Sequence, residues 1–244
     1  VERSRGLGDV YKRQALINCS ASPFSRRKGT LRHELAARAA ERLQCPVVYV
    51  NQVGGNDELI FDGASFVIAP GDDTPLLQLP EFAVSTAVWT AASSTDRLEQ
   101  PSRAHQQANT PDDDLEALFR GLVTGVKDYA TKCGFKAALL GLSGGIDSAL
   151  VAVIAAAALG PDHVQSLLMP SPWSSSGSIA DALGLATRLG IASQIVPIQT
   201  LMEGFEATLT PALNAEPSGI TAENLQSRIR GTLLMAVANQ QGQL

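Results

Sequence analysis

The segment with the sequence Ser-Gly-Gly-Ile-Asp-Ser, residues 143–148, has the residue types and spacing of a phosphate-binding turn. Its two adjacent glycines lack a Cβ, so a turn built on them can bring backbone N–H groups close to phosphate oxygens. The serines at both ends add hydroxyl donors. The carboxylate of Asp147 would repel a phosphate, and a divalent cation between the two removes that repulsion. We therefore predict that Asp147 is a Mg²⁺ ligand.

The flanking sequence predicts that this segment joins a strand to a helix. A short apolar run, residues 137–142, precedes it, and a second apolar run, Ala149 to Leu159, follows it. The start of a helix carries backbone N–H groups without internal partners and a partial positive charge, and both favour an anion. The order of strand, glycine turn and helix therefore predicts an anion-binding site.

Two other interpretations of the same residues stay open, and a third is excluded. Any α/β protein has glycine turns between strands and helices. Residues 141–145 also fit the G-x-S-x-G elbow of serine hydrolases, with Ser143 as the nucleophile, but that elbow needs a later acid and histidine. The only later histidine is His163, on an expected loop, and the elbow gives no role to Asp147 or Ser148. A Walker A loop is excluded because the Gly-Lys-Ser/Thr sequence is absent.

The segment resembles the pyrophosphate loop of the N-type ATP pyrophosphatases, which cleave ATP to AMP and pyrophosphate while they adenylate an acid. Within that group the chain resembles the NAD synthetases, through residues 134–136, 169–171 and 223–231. The alternative is a relative of the GMP or asparagine synthetases. The resemblance implies ATP as a substrate, Mg²⁺, and a second ATP-binding loop rich in serine; a flexible serine linker is the alternative for that loop. The implied ATP-binding residues are Gly141, Leu142, Ser143, Gly144, Gly145, Ile146, Asp147, Ser148 and Ser175.

A long helix is predicted near the end of the sequence, with Thr221 as its N-cap. Asn224 and Arg228 are four residues apart and share one face of it, whereas Arg230 points to another side. The resemblance implies that Asn224 and Arg228 contact the dinucleotide deamido-NAD, through an amide and a guanidinium fork. The alternative is a surface helix with solvated charges.

The upstream half resembles the later part of a nitrilase-type glutaminase domain, as found in glutamine-dependent NAD synthetases. The resemblance rests on residues 18–24 and 51–63, and it implies that Ser22 and Lys28 bind the glutamine substrate. Lys28 as a solvated residue of a basic run is the alternative. The catalytic Glu, Lys and Cys of that family precede these segments, so we expect no catalytic residue in this chain. Cys19 is expected to be a small buried residue.

The predicted fold is α/β, with a partial nitrilase-like αββα domain over residues 15–90 and a linker over 91–111. Residues 112–244 are predicted to form part of a doubly wound parallel sheet of the adenine nucleotide alpha hydrolase-like type, because strands and helices alternate there. Residues 1–14 match nothing that follows and are interpreted as a non-native or disordered tail. Within the first domain we expect a buried strand at 15–18, a helix at 31–44 and a hairpin turning at Asp62-Gly63. The apolar positions of that helix are Leu31, Leu35, Ala39 and Leu43.

Composition limits the possible functions. The 244 residues have a net charge of −5, which argues against general binding to nucleic acids. The longest apolar run is shorter than the roughly 18 residues that a membrane span requires. Three scattered cysteines favour a reducing, cytoplasmic setting. Together with the resemblance, these features imply a homo-oligomeric ligase that amidates deamido-NAD to NAD with ammonia from glutamine, of which this chain is an incomplete and weakly active part.

Overall fold

The computed structural model of the chain describes residues 14–91 and 114–244, so the predicted tail and linker lie almost wholly outside it, as do Asp112 and Asp113. Contacts divide the described residues into one unit that ends at Gly125 and a second that begins at Val126, a division that falls inside a helix. The elements up to that helix are β1 (Leu16–Ser20), α1 (Lys28–Leu43), β2 (Val47–Asn51), β3 (Val53–Asn56), β4 (Leu59–Asp62), β5 (Phe66–Ile68), β6 (Leu77–Gln78) and α2 (Asp114–Cys133). Those that follow are β7 (Ala138–Gly141), α3 (Ile146–Leu159), β8 (Val164–Leu168), α4 (Ser176–Leu189), β9 (Ala192–Ile195), α5 (Gln199–Leu213) and α6 (Ile220–Gln241).

The first unit is built on a sheet with strand order β1-β2-β5-β6, in which β1 and β2 run parallel and the other pairs antiparallel. Strands β3 and β4 form a separate antiparallel hairpin. Helix α1 packs on one face of the larger sheet because small alanines on the helix allow the β-branched and aromatic side chains of the strands to approach it. The buried residues of this core are Ala36, Ala40, Val47, Tyr49, Phe66 and Ile68.

The buried face of α1 differs from the predicted one. Leu31 and Leu35 are 51% and 55% exposed, whereas Arg32, Ala36 and Ala40 are buried. The apolar pattern predicted the wrong face because it treated an arginine as a surface residue. Arg32 is buried since an equally buried carboxylate neutralises its charge.

Three other expectations for the first unit are wrong. The residues of β1 are mostly exposed, and Cys19 on this strand is exposed rather than buried. Within the described residues β1 pairs only with β2, which leaves it at an edge of the sheet. The predicted hairpin at Asp62-Gly63 does not form, because β4 pairs with β3 and β5 pairs with β2 and β6.

The second unit confirms the parallel sheet predicted from alternating strands and helices. Its strand order is β7-β8-β9, and both pairs are parallel, with no reversal of strand order within the described residues. Alternate residues of β7 and β8 face opposite sides, as the two-residue period of a strand requires. One side packs on α3 and α4 through Leu140, Leu142, Val164 and Leu168; the other packs on α6 through Leu139, Leu167 and Met169.

Helix α6 begins one residue before the predicted N-cap. Gly219 occupies the N-cap position without a side-chain hydrogen bond, so Thr221 lies inside the first turn and the predicted cap is wrong. Its buried residue Ile229 contacts the sheet, together with Leu233 and Leu234. Across residues 14–91 and 114–244, no helix is both long and apolar enough to cross a membrane.

Candidate functional site

The glycine turn of the second unit lies between the end of β7 and the start of α3, as predicted. Gly145 is the N-cap of α3 and has extended backbone angles, and Asp147 is in the first helical turn. The two serine hydroxyls stabilise the turn: the Oγ atoms of Ser143 and Ser148 lie 3.0 Å apart, and Ser148 Oγ donates to Gly145 O at 2.9 Å. Ser148 Oγ also accepts from the N–H of Ser143 at 3.2 Å. These internal hydrogen bonds give the turn a defined conformation.

Position 144 is the one in this turn that only glycine fits without strain. Its φ is +84°, in the left-handed region that L-residues rarely adopt. A Cβ at this position would also overlap the backbone carbonyl of Ser178, in the first turn of α4. The glycine turn thus packs directly against the start of the next helix of the unit.

The serine-rich loop before α4 is held by its own hydrogen bonds. Ser175 is the N-cap of α4, and its Oγ accepts from the N–H of Ser178 at 3.0 Å. Ser174 Oγ accepts from the N–H of Ser171 at the same distance. These bonds give the loop a defined conformation, which argues against the alternative of a plain serine linker.

The glycine turn and the serine loop border one cavity of about 260 Å³ at the carboxyl ends of β7 and β8. In open parallel sheets, ligands bind beyond the carboxyl ends of the strands. Of the predicted ATP-binding residues, three line the cavity: Gly141, Leu142 and Ser143. The other six lie outside its lining: Gly144, Gly145, Ile146, Asp147, Ser148 and Ser175. The remaining lining residues are Leu167, Leu168, Met169, Pro170, Ser174, Ser178, Ile179, Ala182, Arg230 and Leu234.

Asp147 has the surroundings expected of a carboxylate that meets a metal–phosphate complex. Its side chain is exposed, and no ion pair or hydrogen bond occupies it within the described residues. No group of three or more His, Cys, Asp or Glu side chains is arranged for a metal within residues 14–91 and 114–244. Mg²⁺ is commonly held by one or two carboxylates together with substrate phosphates, so a single acid beside the predicted phosphate site fits this ion.

The geometry does not support the serine hydrolase alternative. His163 immediately precedes β8, whereas Ser143 follows the end of β7. Because β7 and β8 run parallel, Ser143 lies at the carboxyl ends of the strands and His163 lies at their amino ends. The hydroxyl of Ser143 instead bonds to Ser148.

Arg230 is the residue of this site that the sequence prediction missed. It extends from α6 into the cavity lining, and its Nε donates to the backbone carbonyl of Met169 at 3.1 Å. Burial lowers its pKa from the usual value for arginine. The two predicted dinucleotide ligands, Asn224 and Arg228, are exposed on the same helix and do not line the cavity. The spacing of Arg228 and Arg230 correctly indicated that they point to different sides.

The predicted glutamine-binding residues lie around the loop that leads from β1 to α1 in the first unit. The N–H of Ser22 donates to Asn51 Oδ1 at 2.8 Å, and Ser22 Oγ accepts from Arg32 Nε at 3.2 Å. Lys28 Nζ donates to the carbonyl of Pro23 at 3.0 Å, so the lysine bridges back to the same loop. The loop therefore brings Ser22 and Lys28 together.

A buried ion pair between Arg32 and Asp62 stabilises this loop. Arg32 Nη1 lies 2.6 Å from Asp62 Oδ2, and the two side chains are 7% and 3% exposed. Arg32 Nη2 donates to the carbonyls of Ser22 and Pro23, and Asn51 Nδ2 donates to Ser22 O and Asp62 Oδ1. Every charged group of this cluster has a partner, as buried charges require. No sequence pattern connects the two members of this pair, because they are thirty residues apart.

Comparisons with known proteins agree with this geometry. The sequence model of the NAD synthase family matches residues 118–244. A glutamine-dependent NAD(+) synthetase of Synechocystis is 48% identical over 229 residues, which are 94% of this chain and 40% of that protein. One from Rhodobacter capsulatus is 40% identical over 230 residues, with 94% of this chain and 41% of that protein covered.

Solved structures show the same fold. The glutamine-dependent NAD+ synthetase of Acinetobacter baumannii, determined in complex with adenosine diphosphate, superimposes with a TM-score of 0.81 at 35% identity and covers 95% of this chain. The enzyme of Cytophaga hutchinsonii gives a TM-score of 0.80 at 19% identity, which bears on the fold alone. This chain spans 43% and 44% of those two structures, and about 40% of the curated relatives.

Proposed function

The chain belongs to the NAD synthase family, and from this premise we propose that it carries part of an enzyme that amidates deamido-NAD to NAD. The observation that carries the proposal is the glycine turn beside a cavity at the carboxyl edge of a parallel sheet. The proposed ligand of the turn is ATP, with Mg²⁺ held by Asp147. The proposed domains are a nitrilase-like part over residues 15–90 and a doubly wound ATP-pyrophosphatase part over 112–244.

The proposed chemistry explains why a nucleotide is needed. A carboxylate is a poor electrophile, so the nicotinate carboxylate of deamido-NAD first attacks the α-phosphorus of ATP, and pyrophosphate leaves. Ammonia then attacks the acyl carbon of the adenylate, AMP leaves with the bonding electrons, and a proton is lost from nitrogen. The N–H groups at the start of α3 would stabilise negative charge on the departing pyrophosphate. When bound, Mg²⁺ supplies further charge neutralisation at that position.

The remaining substrate contacts follow the same proposal. Asn224 and Arg228 are exposed on one face of α6, where an amide and a guanidinium can meet the dinucleotide. Ser22 and Lys28 would hold glutamine in the first unit, and the proposed source of ammonia is the hydrolysis of that glutamine. We also propose a cytoplasmic, homo-oligomeric parent enzyme; the three free cysteines support a reducing compartment.

Nucleotide titration followed by NMR tests the ATP site in this chain. ATP with Mg²⁺ is expected to shift the amide signals of residues 143–148, and ATP without Mg²⁺ is expected to bind more weakly. In Asp147→Asn the difference between these two titrations should shrink, because the metal has lost its carboxylate ligand. Amide signals of 143–148 that stay unchanged at millimolar ATP·Mg²⁺ in a folded sample would exclude the assignment.

A further inference from the structure

We infer that Arg230 contacts a phosphate group of the nucleotide in the cavity between the ends of β7 and β8. This inference rests on the proposed ATP site and adds to it a cation from α6. The side chain reaches the cavity from the side opposite to α3 and α4, so a bound phosphate would lie between the glycine turn and the guanidinium.

The orientation of the guanidinium is fixed by backbone and amide acceptors. Nε donates to Met169 O at 3.1 Å, and Nη2 lies 3.5 Å from Gln226 Oε1. No hydrogen bond of Nη1 is found within residues 14–91 and 114–244. Arginine recognises phosphate through such a pre-oriented fork, because little side-chain entropy is then lost on binding. The residue is thus anchored at one end and has a donor available at the other.

The charge of Arg230 has no counter-ion in the described residues. Among residues 14–91 and 114–244 it is the only charged residue that lines the cavity, and it takes part in no salt bridge there. A partly buried cation without a carboxylate is unfavourable, since desolvation is not offset by attraction. An anionic ligand would supply the missing charge, whereas a neutral base would not. The cavity also offers hydroxyls from Ser143, Ser174 and Ser178 as further phosphate donors.

Two other arginines show what is unusual about Arg230. Arg32 is buried, but Asp62 pairs with it at 2.6 Å. Arg188 on α4 makes a similar bond from Nε to the backbone carbonyl of Gly184 at 3.2 Å, but its side chain is exposed. Of the three, Arg230 alone combines partial burial with an unpaired charge. Arg188 therefore provides a matched control.

The experiment compares Arg230→Gln with Arg188→Gln in binding ATP·Mg²⁺, inorganic pyrophosphate and adenosine. Glutamine at position 230 keeps an N–H donor for Met169 O and removes the charge together with the two terminal guanidinium nitrogens. We expect R230Q to weaken ATP and pyrophosphate binding about tenfold or more, because a charge-assisted hydrogen bond is lost, while adenosine binding changes little. R188Q should bind all three ligands as the unsubstituted chain does.

A second measurement needs no substitution. In the unsubstituted chain, pyrophosphate should shift the side-chain ¹⁵N signals of Arg230, and adenosine should leave them in place. An equal loss of affinity for all three ligands in R230Q would mean that the residue only positions Met169, and it would overturn the inference, as would unchanged affinity or static Arg230 signals. If the unsubstituted chain binds neither ATP nor pyrophosphate, the proposed ATP site itself is wrong and the inference falls with it.

Discussion

The loop around Ser22 and the turn at residues 143–148 are two candidate binding segments that are held in opposite ways. The first rests on buried side chains: Arg32, Asp62 and Asn51 hold its carbonyls and its N–H groups. The second rests on the main chain, with a left-handed glycine packed against a backbone carbonyl and two serine hydroxyls closing the turn.

This difference fits the ligands proposed for the two segments. Glutamine has a carboxylate and an ammonium at fixed positions, so side chains must be placed accurately around it, and a charged cluster can fix their loop. A polyphosphate presents many equivalent oxygens, so backbone N–H groups and a helix start are sufficient. The loop around Ser22 should therefore lose stability when a side chain is removed. The turn at residues 143–148 should lose stability and nucleotide binding when a side chain is added.

The largest effect is expected from Arg32→Met in the first unit. The substitution leaves Asp62 as an uncompensated buried charge and removes one of the two donors to each of the carbonyls of Ser22 and Pro23. Removing one partner of a buried ion pair costs about 3–5 kcal/mol. Native-state hydrogen exchange of the β2 amides should report that loss, and the amides of β7 and β8 should be unaffected.

Arg38→Met is the matched control for this prediction. Arg38 lies on the same helix and pairs with Glu34 at 3.8 Å, but both side chains are exposed. An exposed pair of this type contributes at most about 0.5 kcal/mol. If R32M and R38M gave similar losses, the buried cluster would not be what stabilises the Ser22 loop.

A smaller but more local effect is expected from Gly144→Ala in the second unit. The methyl group meets the carbonyl of Ser178, and the left-handed backbone is unfavourable for alanine, so about 1–3 kcal/mol of stability should be lost. ATP·Mg²⁺ binding should be lost with it, since the turn and the start of α4 must separate. Urea unfolding and the nucleotide titration measure the two effects.

Gly231→Ala separates this effect from the general consequence of replacing a glycine. Gly231 lies inside α6, and a Cβ there meets no atom within 4 Å. Alanine at that helical position should leave stability unchanged or raise it by roughly 0.5–1 kcal/mol. A G144A variant as stable as G231A would show that the turn does not depend on the absence of a side chain.

The turn at residues 143–148 can be predicted from the sequence, whereas the buried cluster that holds the Ser22 loop cannot. The turn at 143–148 is local: the glycines, the serines and the helix that follows are adjacent in sequence, so its position could be predicted. The parallel sheet followed from strands and helices that alternate along the chain. Asp62 lies thirty residues from Arg32, and no periodic pattern connects them. The contact from Arg230 to Met169 spans 61 residues and was missed for that reason.

Burial was the property that sequence patterns predicted least well. The prediction for α1 counted leucines as core and arginine as surface, whereas the ion pair with Asp62 reverses that order for Arg32. The sequence predicts a buried Cys19 because free cysteines are usually buried, but Cys19 is exposed because its strand lies at an edge of the sheet. Both errors arise because burial depends on which neighbours the fold supplies.

The smallest predicted effect concerns Glu81, which lies beside the charged cluster of the first unit. Burial raises the pKa of its carboxyl above the ordinary value of 4.5, and Asp62 raises it further, while Arg120 and Arg32 oppose the shift. Its Oε2 atom is buried and has no hydrogen-bond partner within the described residues. The folded state therefore binds this proton more tightly than the unfolded state does.

Linkage then fixes the direction of the pH dependence. The contribution of Glu81 to stability is fully present below pH 4.5, and it is lost as pH rises through the raised pKa of the folded state. Glu81→Gln should match the unsubstituted chain at low pH and become the more stable of the two above that window, in urea unfolding followed through the β2 amides. Glu58→Gln makes the same change in net charge on an exposed side chain, so it measures the general effect of net charge. If E81Q were the less stable form at neutral pH, Glu81 would act as a paired carboxylate, and it would be a third charged member of the cluster formed by Arg32, Asp62 and Asn51.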